Sequence, residues 1–335
     1  MKVQLFSTAL AAMVALPAFG QWPSVPGYDA MKYPADNPMT KEKVELGKQL
    51  YFDKRLSGDG SRSCYSCHVK EKGLTDGLPV AIGAYEVKLT RASPTMWNVG
   101  YYESLYWDGR APSLERQVLG AMAGGNMGNT GANGKPSTDD TVGKLAAIPG
   151  YKTQFEKVFG PNSVNKENMA KAVSAFMRTI VSTDSAWFRF RGGQNNAFSA
   201  SARRGWKIFD EKAKCSNCHD GRLLTDQQFH NVGVGMNAPK PDVGRFAVSK
   251  VEKDTGAFKT PTLLDISKSA PYFHDGSAKT LEEAVDFMLE GGRKNPYLDE
   301  TNLKPVKLTA AERADLLAFL RSLDVVYKIP DPKLP

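Results

Sequence analysis

The sequence predicts an all-α fold of two tandem units with long loops, and three observations point to it. A five-residue pattern of two cysteines and a histidine occurs twice, with 147 residues between Cys67 and Cys215, each time after a similar helical segment. Helix-start signals followed by apolar residues three and four apart recur along the chain. Long alternating runs of β-branched residues are missing, so no extended sheet is expected. A length of 335 residues exceeds one ordinary core and suits two. The hydrophobic fraction of 41%, with 10% aromatics, belongs to a globular chain and not a disordered one.

At the N-terminus, Lys2 precedes an almost unbroken apolar run from Leu5 to Phe19, closed by Ala18-Phe19-Gly20. This order reads as a signal peptide over residues 1–20, cut after Gly20. An uncleaved anchor is the competing reading, but the run is shorter than the roughly 20 residues a span needs. No later stretch could span a bilayer. The mature protein is therefore expected to be exported and soluble, in the periplasm or at the cell surface. Net charge is +8, and +7 once Lys2 is removed. Lys and Arg are scattered, with no run of five, which argues for solubility or steering of an acidic partner and against nucleic acid.

The elements follow in order. Leu46–Asp53 reads as a helix leading into the first cysteine motif, and Arg204–Asp210 as its counterpart before the second. Gly124–Lys135, rich in Gly and Asn, is expected to be a mobile loop. Asn165 precedes a helix with Met169, Val173, Met177 and Ile180 on one stripe, read as core and not as ligands. A boundary near 183–198, around Gly192-Gly193, divides the chain into domains 21–183 and 184–335. Thr280 with Glu283 forms a capping box opening Leu281–Glu290. Thr309 with Glu312 does the same for Ala310–Leu323, where Leu316, Leu317 and Leu320 mark an apolar face.

The chemistry lies in Cys64-Tyr65-Ser66-Cys67-His68 and Cys215-Ser216-Asn217-Cys218-His219, which use all four cysteines and two of the four histidines. CxxCH matches covalent haem attachment: two thiols add across the haem vinyl groups, and the adjacent histidine meets the iron as proximal ligand. A shared zinc site would want the pairs about 15–20 residues apart. Two disulfides would leave the repeated histidine unexplained, and a thioredoxin-like centre would need a βαβ setting. The expectation is two tandem cytochrome-c-like haem domains carrying two haem c groups.

The segments LGKQLYFDKRLSGDGSRSCYSCH, RASPTMWN, YWDGRAPSLERQ, FHNVGVG, GAFKTPTL and APYFHDGSAKTLEEAVDFM resemble, in order and over nearly all of the mature chain, the bacterial di-haem cytochrome c peroxidase family with its MauG-like branch. The resemblance implies a first haem that meets hydrogen peroxide and a second that delivers electrons to it. It implies His219 and Met288 as ligands of the second iron, Met288 lying fourteen residues after the histidine of FHDG. MauG-like members carry tyrosine at that place. Packing on its own helix is the competing reading of Met288. Trp107 matches the tryptophan placed between the two haems, although an aromatic there could also be packing. Gln117 matches a distal glutamine.

Two departures concern the first haem. Where reductively activated members have a second histidine, this chain has Ile82-Gly83-Ala84-Tyr85, which predicts an open distal face unless Tyr85 binds. Where the family has a distal glutamate, either Asn126 or Met127 aligns, and neither moves a proton. A calcium ion is also typical of the family. Its carbonyl ligands match Ser269 and Pro271, but its side-chain ligand falls at Ala92. The partners implied are a small electron donor, either a cytochrome c or a cupredoxin, and a second copy in a homodimer. Three readings follow: a peroxidase, with His68, Gln117 and Trp107 at the first haem; a MauG-like oxidase that modifies Trp or Tyr of a partner protein; and a non-enzymatic di-haem electron carrier.

Overall fold

The structure, a computed structural model, describes residues 22–335, and the signal peptide expected over 1–20 lies outside the described residues. The helices that position the two sites are α1 (Lys41–Phe52), α2 (Leu114–Ala123), α3 (Lys166–Met177), α4 (Ala200–Lys207), α5 (Leu281–Leu289) and α6 (Ala310–Arg321). Among the described residues, the regular sheet is a single two-stranded antiparallel ribbon, β1 (Phe229–His230) with β2 (Phe258–Lys259). The all-α expectation holds. No described helix is long and apolar enough to cross a membrane.

Each unit is built on one close helix crossing. In the first, α1 lies against α3, and a Cβ on Gly47 would overlap the Ala172 carbonyl. In the second, α4 lies against α6, and a Cβ on Gly205 would overlap the Asp315 carbonyl. Only glycine permits backbones to approach so closely. Leu46, Leu50, Met169 and Val173 fill the first crossing, all fully buried. Aromatic rings fill the second: Trp187 lies 5.1 Å from Trp206, and Phe209 lies 5.1 Å from Phe319. The expected caps are present. Asn165 accepts the Asn168 N–H at the start of α3, and Thr280 and Thr309 form capping boxes with Glu283 and Glu312. Helices α5 and α6 end one and two residues before the limits expected from periodicity.

A second repeat, at an offset of 167 residues, relates the segments that join these crossings. Asn98 and Asp265 both take left-handed backbone (φ 59° and 57°) and each starts a single 3-10 turn. Tyr106 and Phe273 share φ near 70°, inside matching bridges Leu105↔Ala111 and Tyr272↔Ala278. Ser113 caps α2 as Thr280 caps α5. The two copies meet reciprocally. The Ala92 N–H donates to the His274 carbonyl (2.7 Å), and the Lys259 N–H, 167 residues later, donates to the Trp107 carbonyl (2.8 Å). The units are therefore joined about a local pseudo-twofold. Tryptophan Trp97 adds a crossing bond, its indole N–H donating to Asp265 Oδ2 at 3.0 Å.

The expected mobile loop over Gly124–Lys135 is corrected in its first half. Met127, Gly128 and Asn129 are buried, the Asn129 amide donates to the Leu56 carbonyl (2.8 Å), and Thr141 donates to its oxygen (2.7 Å). Buried backbone that is bonded on both sides is structural; only 130–134 is exposed. Glycine here serves close packing, a use that composition alone does not distinguish from looseness.

Candidate functional site

The first motif forms a single helical turn, Cys64–Cys67, capped reciprocally by Ser63 and Ser66. The turn places Cys64, Cys67 and His68 along one wall of a cavity of about 620 Å³, within the range of large cofactor sites. His68 Nδ1 lies 3.0 Å from the Leu74 carbonyl. That contact puts the ring proton on Nδ1 and leaves Nε2 as the lone-pair nitrogen, the tautomer an iron ligand requires. Burial lowers the His68 pKa, which favours this neutral form. Burial also pushes the thiols up, to about 12 for Cys64 and about 11 for Cys67.

The second motif repeats the arrangement. His219 Nδ1 lies 3.1 Å from the Leu224 carbonyl, burial lowers its pKa, and the Cys215 thiol is pushed up to about 12 by the same cause. Leu74 and Leu224 are both fully buried with left-handed backbone (φ 61° and 54°), the turn that aims each carbonyl back at its histidine. Sequence reasoning missed these two acceptors. The signal was present: Leu-Thr-Asp follows His68 as Leu74-Thr75-Asp76 and follows His219 as Leu224-Thr225-Asp226. The donor set thus fits one haem in each unit. No disulfide joins the cysteines. The one metal-spaced cluster among the described residues is Cys218, Asp226 and His230, which does not combine the two CxxC pairs as a zinc site would.

Helix α2 also contributes to the lining of the first cavity, through Gln117, Val118, Ala121 and Met122. Asn126 and Met127 line it as well, so both candidates for the missing glutamate position face the same space. Met169, Val173 and Met177 of α3 are at once core and cavity wall. Tyr85 does not join them. The hairpin closed by Ile82↔Lys88 turns it outward: its N–H donates to Asp59 Oδ2 (2.5 Å), and the Lys135 ammonium sits 4.3 Å from its ring centre. Ala84 is fully buried, packed towards Gly128, and is absent from the cavity lining.

Met288 lies near the end of α5, eight residues after its cap Thr280; Ala121 lies eight residues after Ser113 on α2. Ala121 faces the first cavity, and the repeat gives Met288 the corresponding place in the second unit. Trp107 lines the first cavity, donates its indole N–H to the Ala92 carbonyl (2.9 Å), and lies 6.4 Å from the His274 ring, which stacks on Phe258. The calcium set is incomplete: Ala92 offers no side-chain oxygen and its carbonyl already accepts the Trp107 indole, which leaves the matched carbonyls of Ser269 and Pro271 as the protein oxygens for a hard dication. No step is derived through calcium.

A family profile described as di-haem cytochrome c peroxidase matches residues 41–196, and one described as cytochrome c matches 202–324. The chain is 37% identical to cytochrome-c peroxidase IdrP1 of Denitromonas iodatirespirans, over 98% of this chain and 93% of that protein. It is 38% identical to the methylamine utilization protein MauG of Methylorubrum extorquens, over 92% and 85%. Among solved structures, a MauG-like protein associated with microbial copper homeostasis superposes with a TM-score of 0.79 at 32% identity, covering 92% of this chain and 95% of that one. The duplicated CxxCH sites, their matched histidine acceptors and these similarities lead to one conclusion: the chain belongs to the bacterial di-haem cytochrome c peroxidase and MauG family.

Proposed function

We propose that this chain reduces hydrogen peroxide to water at the first site, using electrons collected at the second from a small soluble cytochrome c or cupredoxin. The observation that carries this reading is the cavity that His68 lines. It is walled by Gln117, Ala121 and Asn126, with no second imidazole and with alanine at the place matching Met288. Cys64 and Cys67, and Cys215 and Cys218, would hold the two haems by thioether bonds, with His68 and His219 as proximal ligands. Bound haem would supply the redox chemistry. Gln117 donates a hydrogen bond to peroxide above His68. Asn126 cannot move a proton, so proton delivery falls to water in the cavity, at a cost on the scale of the roughly 10²–10⁴-fold that a positioned acid or base contributes. Met288 would offer the second iron a thioether, a ligand that favours the ferrous state and suits a haem that accepts electrons. Trp107, hydrogen-bonded across the junction of the units, lies on the path between them.

The domains would run 21–183 and 184–335, after export and loss of residues 1–20 to the periplasm. A MauG-type oxidation of a partner protein is the second reading. Ala84 suits both, and Met288 in place of tyrosine favours the first. Steady-state oxidation of a reduced cytochrome c or copper protein by peroxide is the test. Donor oxidation no faster than a free-haem control overturns the proposal, and a long-lived peroxide-oxidised spectrum without turnover transfers it to the second reading.

A further inference from the structure

The first cavity receives one charged side chain from the other unit. Lys259, on β2, lines it together with Cys64, Cys67 and His68, although it lies 40 residues after His219. The residue is 9% exposed. Its ammonium donates to the Ser104 carbonyl at 2.6 Å and sits 4.4 Å from the centre of the Tyr102 ring. An ammonium carries three donors, and among the described residues no carboxylate lies within ion-pair distance of this one. The arginines of the same wall differ. Arg91 is paired with Asp108 and Asp242, and Arg110 with Asp108. Burial alone lowers the Lys259 pKa, to about 8.

A buried cation without an anion is costly, and an anionic group bound beside it would offset that cost. The pseudo-twofold shows that the charge is particular to one site: the mate of Lys259 is Ala92. The backbone cannot carry the ammonium away, because the Lys259 N–H is bonded to the Trp107 carbonyl. We infer that Lys259 is the counter-ion of a propionate of the first haem, so that the electron-accepting unit sets the charge balance of the peroxide-binding one. This rests on haem occupying the first cavity, but not on peroxidase turnover. Lys259 is a positioning residue: it acts on the potential of the first iron through the propionate.

The test is spectroelectrochemistry of the ferric holoprotein, with Lys259→Met and Lys259→Arg beside the wild type. Each is first shown to carry two haems per chain. Removing a positive charge disfavours the reduced state. The first-haem potential is therefore expected to fall in Lys259→Met by roughly tenfold in the reduced-to-oxidised ratio, about 59 mV for a one-electron couple. Lys259→Arg is expected to retain the wild-type value, and the second-haem potential is expected to stay constant in both. Resonance Raman supplies an independent reading, since the propionate bending modes of the first haem shift when the hydrogen bond is lost. An unchanged first potential, or a shift confined to the second haem, overturns the inference. If Lys259→Met fails to load haem, Lys259→Gln, which removes the charge but keeps a polar side chain, takes its place: an unchanged first-haem potential overturns the inference, and a fall supports it. Peroxidase failure with these shifts present would count against the function alone.

Discussion

Ala121 is the position at which the two halves of the repeat diverge most usefully. Replacing it with methionine should convert the first site into a copy of the second. The substitution adds three heavy atoms to a side chain that already faces the cavity, at the place matching Met288. The added atoms extend into the cavity of about 620 Å³ that Ala121 already lines, so overpacking against the protein is not the expected result. Burying three such groups at about 0.8 kcal/mol each yields about 2.4 kcal/mol in favour of the filled pocket, roughly a 60-fold bias against water or peroxide in the same place. Peroxide turnover is therefore expected to fall at least about 60-fold in Ala121→Met, before any gain from an iron–sulfur bond. Ferric electron paramagnetic resonance should change from high-spin to low-spin at the first haem, while the second haem signal stays as it was. Wild-type turnover together with an unaltered high-spin signal would refute the pseudo-twofold argument for both Ala121 and Met288.

Three further outcomes are expected. Gln117→Leu keeps both haems but removes the donor above His68, and kcat/KM for peroxide should fall on the order of 10²-fold, as when one preorganised donor is lost; steady-state kinetics checks this. Tyr85→Phe should leave the ferric spectra and cyanide binding unchanged, because the ring points outward beneath Lys135, and a spectral change would restore it as a ligand. Glu115 faces buried Arg178 at 2.7 and 3.1 Å and accepts from Asn37. Glu115→Ala should cost about 3–5 kcal/mol in urea unfolding by leaving that guanidinium uncompensated. Burial opposes ionisation of Glu115, yet the Arg178 hydrogen bonds outweigh it and hold its pKa below the usual range. Its stabilisation is therefore present above the unfolded value near 4.3 and is lost as pH falls through the lower folded one. The acid-induced loss of stability in wild type should be shallower in the variant.

The sites were legible where side-chain chemistry dictates residue type. CxxCH needs particular atoms, the glycines at the helix crossings sit within recognisable helical segments, and the caps Asn165, Thr280 and Thr309 announce their helices. What stayed hidden was the repeat at an offset of 167. Its shared features belong to the backbone: left-handed turns at Asn98 and Asp265 and at Tyr106 and Phe273. The side chains pair as Asn with Asp and Tyr with Phe, but such matches are too few and too widely spaced to stand out as a repeat in the sequence. Gly124–Lys135 misled for the related reason that glycine marks close packing and slack equally. Lys259 gave no signal, since a lysine in a short strand reads as solvent-facing until the fold turns it inward.

The reciprocal bonds from Ala92 to His274 and from Lys259 to Trp107 act as a double clasp. A single bond would leave the halves free to swing about it. Two, placed about a twofold, resist swinging and sliding together. Trp107 is held at its carbonyl by one fastening and at its indole by the Ala92 carbonyl, so its backbone and its ring are both tied at the junction of the halves. A change that loosens one fastening therefore acts on both halves, because each bond has its donor in one and its acceptor in the other.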